Sequence, residues 1–158
     1  MQPAEQERLA DALFAASRHW EVQLHCNKGL AGASAETLVA ARDTATNPAV
    51  LDAFALAIIA DAGPPLEWLP FYARFARTRA GAVDDATAEL RKTVADHASY
   101  VSESNYFNRS WQTAFWGGHY PKLRAIKDRY DSEGLFFVHH GVGSEDWSED
   151  GFTRLTKP

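Results

Sequence analysis

Cysteine is nearly absent from this chain, because Cys26 is the one cysteine among 158 residues. A single cysteine cannot form an internal disulfide, so the fold is stabilised without such cross-links. We expect Cys26 to be a buried, unreactive thiol, since free cysteines usually pack as small apolar side chains. The free thiol and a start at Met1 that lacks the basic and apolar regions of a signal peptide predict a cytoplasmic location.

Long apolar runs and an excess of positive charge are also missing. The longest apolar run extends from Ala53 to Ala60, far short of the roughly 20 residues that cross a bilayer. The 16 Lys and Arg against 21 Asp and Glu give a net charge of −5, which argues against nucleic acid and anionic membranes as partners. With 46% hydrophobic and 12% aromatic residues, the chain has the composition of a domain with a buried core.

Sequence motifs with strict spacing are absent as well. There is no Gly-x-Gly-x-x-Gly, no Walker loop, no His-Glu-x-x-His and no Gly-x-Ser-x-Gly. Two pairs of possible metal ligands, His25 with Cys26 and His139 with His140, lie near predicted strands. Adjacent residues of a strand point to opposite faces, so neither pair favours a shared ion. We therefore expect no metal site.

Hydrophobic periodicity in the first part of the chain predicts two helices and two strands. Apolar residues recur at helical spacing from about Pro3 to Arg18. Ser34 followed by Glu36 indicates an N-cap for a second helix through Ala41. Alternating apolar residues predict strands over 20–25 and 54–60, with a helix as the alternative for the second because alanine favours helices.

The rest of the chain is expected to be mostly helical. A helix is predicted to begin at Asp84 or Asp85, a short one to cover 111–116, and another to run from 120 to Gly134. The stretches 99–102 and 135–138 are expected to be extended. Because strands and helices do not alternate regularly, the sequence predicts an α+β fold with an antiparallel sheet covered by helices.

Aromatic residues are concentrated between positions 100 and 120. They are Tyr100, Tyr106, Phe107, Trp111, Phe115, Trp116 and Tyr120. Core packing and contact with a planar ligand explain such a cluster equally well. Glu103 in the same region is either a buried carboxylate with a raised pKa, suited to act as a base, or an ordinary solvated acid.

An ordered series of short motifs runs from residue 99 to residue 147. It includes Tyr100-Val101-Ser102-Glu103, Trp111, Phe115-Trp116-Gly117-Gly118-His119-Tyr120 and Val142-Gly143-Ser144-Glu145-Asp146-Trp147. The series resembles the berberine-bridge-enzyme-like segment at the C-terminal end of FAD-linked oxidases of the vanillyl-alcohol-oxidase class. The stretches Asn27–Gly32 and Asn47–Val50 resemble the substrate-domain portion upstream of that segment. The resemblance implies a partial substrate-binding domain over 1–98 and the berberine-like C-terminal segment over 99–158.

The resemblance implies that the chain is the C-terminal fragment of a larger, two-domain flavoenzyme. Family members carry an N-terminal flavin-binding domain with an Arg-x-x-Gly-Gly-His-like stretch, which these residues lack. The implied reaction is oxidation of an alcohol, amine or sugar-like small molecule by hydride transfer to FAD. FAD would be held mainly by the flavin-binding domain, in cis or in trans, so the chain alone is expected to be inactive. The alternative is a non-catalytic relic that serves as a binding or interaction module.

The resemblance also implies roles for individual residues. In the family, a Tyr-x-Asn stretch of this segment lies near the flavin ring, and it maps to Tyr100–Ser102, with serine in place of asparagine. Tyr100 is expected to orient or deprotonate the substrate, and Ser102 to hydrogen-bond the ring. Glu103 is the second catalytic candidate. His119, where the family usually has asparagine, and Tyr120 are expected to bind the cofactor.

Overall fold

The computed structural model describes residues 2–26, 29–30, 32–63, 68–94 and 98–155. In chain order, its elements are α1 (Pro3–Ser17), β1 (Gln23–Cys26), α2 (Ala35–Arg42), α3 (Ala49–Asp52), β2 (Ala55–Ile58), α4 (Tyr72–Arg91), α5 (Trp111–Trp116) and α6 (Tyr120–Tyr130). Short 3-10 turns lie at Val101–Glu103, Gly117–His119 and Ser144–Asp146. This helix-rich chain with a two-stranded antiparallel sheet confirms the predicted α+β class.

The chain divides into two compact units. Unit 1 consists of Met1–Lys28 and Phe54–His97, and unit 2 of Gly29–Ala53 and Ala98–Pro158. The segment 29–53 therefore joins the C-terminal part of the chain, although both of its neighbours in sequence belong to unit 1.

Unit 1 combines a helix pair with the sheet. Helices α1 and α4 pack together, and their buried residues are alanines: Ala12 and Ala16 on α1 and Ala86 on α4. Small side chains let the two backbones approach closely. Strands β1 and β2 pair antiparallel, with Gln23 opposite Ile58 and Cys26 opposite Ala55.

Several predictions for unit 1 are confirmed with small shifts in the boundaries. The predicted N-terminal helix is α1, and the predicted strand over 54–60 is β2 rather than the alternative helix. The strand expected over 20–25 begins later, at Gln23, because the backbone amide of Trp20 donates to the carbonyl of Ala16 at 3.1 Å in the turn after α1.

The prediction of a buried Cys26 is wrong. All four residues of β1 are exposed, and Cys26 is a free, exposed thiol at its end. The alternating pattern of this strand correctly indicated extended backbone. It did not indicate whether another layer covers the strand.

Helix α4 begins at Tyr72, so the predicted start at Asp84 or Asp85 is wrong. Tertiary contacts stabilise its first half: the guanidinium of Arg79 binds the Asp61 carboxylate and lies 4.8 Å from the Trp20 ring centre. Prolines and aromatic residues upstream obscured the helical period in the sequence.

Unit 2 has a small aromatic core on α5. Trp111, Ala114 and Phe115 are buried, and Trp116 and Tyr120 pack against them. The N-cap predicted at Ser34 is confirmed, because its hydroxyl accepts a hydrogen bond from the Thr37 amide at 3.2 Å. The helices predicted over 111–116 and from 120 are α5 and α6.

Two stretches of unit 2 that were predicted to be extended are not strands. Residues 101–103 form a 3-10 turn, closed by the amide of Glu103 donating to the carbonyl of Tyr100 at 3.1 Å. Residues 135–138 form a loop, because the Asp131 carboxylate accepts hydrogen bonds from the amides of Leu135 at 2.8 Å and Phe136 at 3.0 Å. A side chain thus takes donors that a neighbouring strand would need.

Candidate functional site

The C-terminal end of α5 is a junction of three chain segments in unit 2. The carbonyl of Ala114 accepts hydrogen bonds from the Ser99 amide and from Nδ2 of Asn47, both at 2.9 Å. Asn47 Nδ2 also donates to the carbonyl of Thr113 at 3.1 Å. The last carbonyls of a helix have no partner within it, so these donors stabilise the helix end and hold both segments against it.

The predicted residues Tyr100, Ser102 and Glu103 share the 3-10 turn that follows Ser99. The Tyr100 side chain is 54% exposed, and Ser102 and Glu103 are exposed as well. In the structure of this chain Glu103 is thus a solvent-exposed acid and not a buried carboxylate. The turn thus exposes a phenol, a hydroxyl and a carboxylate within four residues of the chain.

His119 and Tyr120 lie where α5 passes into α6. Among the described residues, nothing hydrogen-bonds the buried Nε2 atom of His119. The Tyr120 hydroxyl donates to the Glu145 carboxylate at 2.6 Å and accepts a hydrogen bond from the Gly143 amide at 3.3 Å. Burial and the bond to Glu145 raise the pKa of Tyr120, so its phenol is neutral at physiological pH and is unsuited to act as a base.

Arg124 forms a charge network that the sequence patterns did not reveal. Its guanidinium binds Asp146, Asp128 at 2.9 Å and Glu145 at 3.1 Å, and the side chain is only 17% exposed. The bonds to Asp146 and Asp128 raise the pKa of Arg124. The network fixes the Ser144–Asp146 turn to α6 and thereby positions Glu145 for Tyr120. The signal in the sequence was the adjacent acid pair after Gly143, together with a basic helix upstream.

A ring column, defined here as Tyr106, His139, His140 and Trp111, connects three parts of unit 2. Tyr106 stacks on His139 with ring centres 3.9 Å apart, and His140 stacks on Trp111 at 5.4 Å. The two imidazole centres are 3.8 Å apart. The expectation that these histidines point to opposite faces is therefore wrong, because they lie in a turn and not in a strand.

Some residues of the aromatic cluster pack in the core, and others are exposed and free to contact a planar ligand. Trp111 and Phe115 form the core, whereas the side chains of Tyr100, Tyr106 and Phe107 are 53–76% exposed.

In the part of the chain that the structure describes, no group of three or more His, Cys, Asp or Glu side chains is arranged to hold a metal ion. Within the same residues, no helix has the length and apolar character to cross a membrane.

An open groove of about 200 Å³ lies beside α6, and none of the predicted site residues lines it. Phe136, Phe137, Val138 and Trp147 form its apolar side. Lys127 also lines the groove, and its ammonium group donates to Asp131 and to the carbonyl of Phe136. The groove is smaller than the roughly 300–1,000 Å³ of typical ligand pockets, so it suits one side chain rather than a flavin.

Gly134 is required where the loop leaves α6. Its φ is +70°, and an added Cβ would lie 2.6 Å from the Trp147 ring. We expect Gly134→Ala to destabilise unit 2 by about 2 kcal/mol, because strain in the left-handed region adds to a steric clash. Urea unfolding followed by near-UV circular dichroism measures this loss.

Gly118→Ala is the matched control for that substitution. A Cβ at Gly118 would meet no atom of the described chain within 4 Å, and its φ is outside the left-handed range. We expect a change below about 0.5 kcal/mol. Equal losses for the two variants would contradict the role assigned to Gly134.

Comparison with known proteins shows which proteins this part of the chain resembles. The family model described as "Berberine and berberine like" matches residues 89–143. The chain is 49% identical over 61 residues to the FAD-linked oxidoreductase notD' of Aspergillus versicolor, covering 39% of this chain and 10% of that protein. It is 35% identical over 79 residues to the VAO-type flavoprotein oxidase VAO615 of Thermothelomyces thermophilus, covering 47% and 14%. No solved structure matches the chain.

The matched segment contains the α5–α6 junction and every site residue predicted above. The relatives it resembles are named as FAD-linked oxidoreductases or flavoprotein oxidases, and residues 89–143 match the berberine and berberine-like family model. FAD is therefore the cofactor that the relatives imply. The chain spans about a tenth of the length of the first relatives it matches.

Proposed function

We propose that this protein is the substrate-side, C-terminal portion of an FAD-dependent oxidoreductase. The reaction proposed is the oxidation of an alcohol, amine or sugar-like small molecule by hydride transfer to flavin. The observation that carries the proposal is the family match over 89–143, which contains the exposed turn with Tyr100, Ser102 and Glu103. A flavoenzyme needs polar groups at the edge of the flavin ring and near the reacting carbon of the substrate, and the side chains of this turn are polar groups suited to both positions.

The chemistry of the side chains fits contact with one edge of a flavin. Bound FAD would supply the hydride acceptor. In this proposal Ser102 hydrogen-bonds the ring, and His119 and Tyr120 lie beside the cofactor; the buried Nε2 atom of His119 has no hydrogen-bond partner among the described residues. Tyr100 orients the substrate or, with Glu103, accepts its proton. In this proposal FAD is held mainly by a separate flavin-binding domain.

The exposed apolar side chains of unit 2 support the proposal that a second domain or protein covers this surface. Leu135, Phe136, Val138 and Phe152 are 69–88% exposed. Among the described residues, no large side chain is completely buried. Apolar surface of this extent is typical of a surface that another protein layer covers. We propose that the flavin-binding domain covers it, in cis or in trans, and that the chain is inactive without that domain.

The proposal is tested on the native gene product. The protein is isolated from its source cells under native conditions with an antibody against its C-terminal residues. Its intact mass and its absorption between about 350 and 500 nm, where oxidised flavin absorbs, are then measured. We expect flavin absorption, either in a heavier polypeptide that ends in this sequence or in a complex of this chain with a second protein. Flavin-free material would overturn the proposal and favour the binding module.

A substitution at Tyr100 tests the role assigned to that residue. In the flavin-containing enzyme, Tyr100→Phe removes the hydroxyl and keeps the ring. We expect flavin reduction by substrate to slow by about 100-fold in single-turnover experiments, the lower end of the range for general acid–base groups. Tyr106→Phe is the control, because Tyr106 is exposed to a similar extent, at 53% against 54%. An unchanged rate in Tyr100→Phe would eliminate its proposed role.

A further inference from the structure

The two central members of the ring column are titratable groups in direct contact. His139 and His140 have ring centres 3.8 Å apart, at an interplanar angle of 31°. Each imidazole also has an aromatic partner on its other side, Tyr106 for His139 and Trp111 for His140. Nε2 of His139 lies 3.0 Å from the carbonyl oxygen of Tyr106. The column therefore connects the loop that carries Tyr106 with the turn that carries the histidines.

The backbone at His140 depends on this packing. Its φ is +56°, in the left-handed region that a residue with a Cβ adopts only at an energetic cost. The turn is closed by the Gly141 amide, which donates to the carbonyl of Val138 at 2.7 Å. Stacking of the imidazole on Trp111 offsets the cost of this conformation. If the stack is lost, the turn also loses the contact that favours its strained geometry.

The charged groups around the pair determine how it responds to acid. Helix α5 contributes the uncharged rings of Trp111 and Phe115 to the surroundings of His140. The neighbouring His139 disfavours a proton on His140, whereas the Glu149 carboxylate favours one. The net effect, with burial as the largest cause, lowers the pKa of His140. Its neutral form therefore favours the folded state, and this stabilisation is lost as the pH falls below the unfolded-state value of about 6.5.

We propose that the ring column is a pH-sensitive latch within unit 2. The latch is closed while the histidine pair carries at most one proton, and it opens when both imidazoles are protonated. Two cations at this separation repel each other strongly, and the flanking rings of the column, Tyr106 and Trp111, carry no negative charge to offset that repulsion. Opening releases the turn Val138–Gly141 and the loop around Tyr106. This inference does not depend on the proposed enzymatic function, because it concerns only rings of this chain.

The latch is tested on the full chain by titration. NMR of the imidazole Cε1–H groups reports the protonation of each histidine, and near-UV circular dichroism reports the packing of the aromatic core. For the native sequence we expect the circular dichroism signal to fall cooperatively between about pH 6.5 and 5, together with the second protonation of the pair. His139→Gln and His140→Asn each remove one titrating ring, and asparagine tolerates the positive φ at position 140.

Both variants are expected to abolish the transition or to shift its midpoint by at least about one pH unit to lower pH. His25→Gln is the matched control, because His25 is an exposed histidine on β1 of the other unit, and it should leave the midpoint unchanged. The use of two variants separates an effect on the latch from misfolding, because His139→Gln keeps the contact between His140 and Trp111. Retention of the native midpoint in both variants, or titration of the pair without a change in circular dichroism, would overturn the proposal.

Discussion

Arg124→Met is expected to destabilise unit 2 by about 3–5 kcal/mol, measured by urea unfolding with near-UV circular dichroism. The guanidinium binds three carboxylates, of which Asp146 is only 15% exposed. Methionine fills much of the same volume but leaves the Asp146 charge poorly solvated and without this partner. Loss of the network also frees the Ser144–Asp146 turn that positions Glu145 against Tyr120. The cost therefore includes both the loss of this ion pair at a poorly solvated carboxylate and a loosened turn.

Two further variants show whether the loss of stability depends on the position of Arg124 or only on its charge. Arg129→Met removes an exposed arginine from the same helix, where it lies 5.2 Å from the ring centre of Tyr130, and should cost less than about 0.5 kcal/mol. Arg124→Lys keeps the charge but cannot bind several carboxylates in the planar geometry of a guanidinium, so an intermediate loss is expected. If Arg124→Met and Arg129→Met were equally stable, the network would have no structural role.

Asn47→Ala is expected to cost about 2–3 kcal/mol of unfolding free energy, measured in the same way. Asn47 is 7% exposed, and its amide donates to the carbonyls of Thr113 and Ala114. Its Oδ1 accepts a hydrogen bond from the Ala49 amide at 3.1 Å. Alanine removes all three bonds and leaves buried polar groups without this partner, which is more costly than the loss of exposed bonds.

An isosteric variant separates hydrogen bonding from shape at this position. Asn47→Asp keeps the size of the side chain but replaces the donor with an acceptor that faces two carbonyls, and adds negative charge at a helix C-terminus. We therefore expect it to be at least as destabilising as Asn47→Ala. Asn105→Ala is the control, because Asn105 is exposed, and a loss below about 1 kcal/mol is expected. A stable Asn47→Asp protein would contradict the assigned hydrogen bonds.

The candidate site was only partly predictable from the sequence. The motif series from Tyr100 to Trp147 correctly indicated the berberine-like class, because its order and spacing are specific. The exposed position of Glu103 and the bond between Tyr120 and Glu145 were not predictable. Exposure depends on what packs above a turn, and this bond joins residues that are 25 positions apart.

Local patterns by themselves determined the class of fold and most helix positions. The Ser34 cap and the period of α1 act over a few residues, so both can be recognised directly in the sequence. Only the tertiary structure decided the early start of α4, the association of 29–53 with the C-terminal unit and the contact between His139 and His140. The physical reason is that long-range ion pairs, buried hydrogen bonds and a strained turn overrode local backbone preference at these positions.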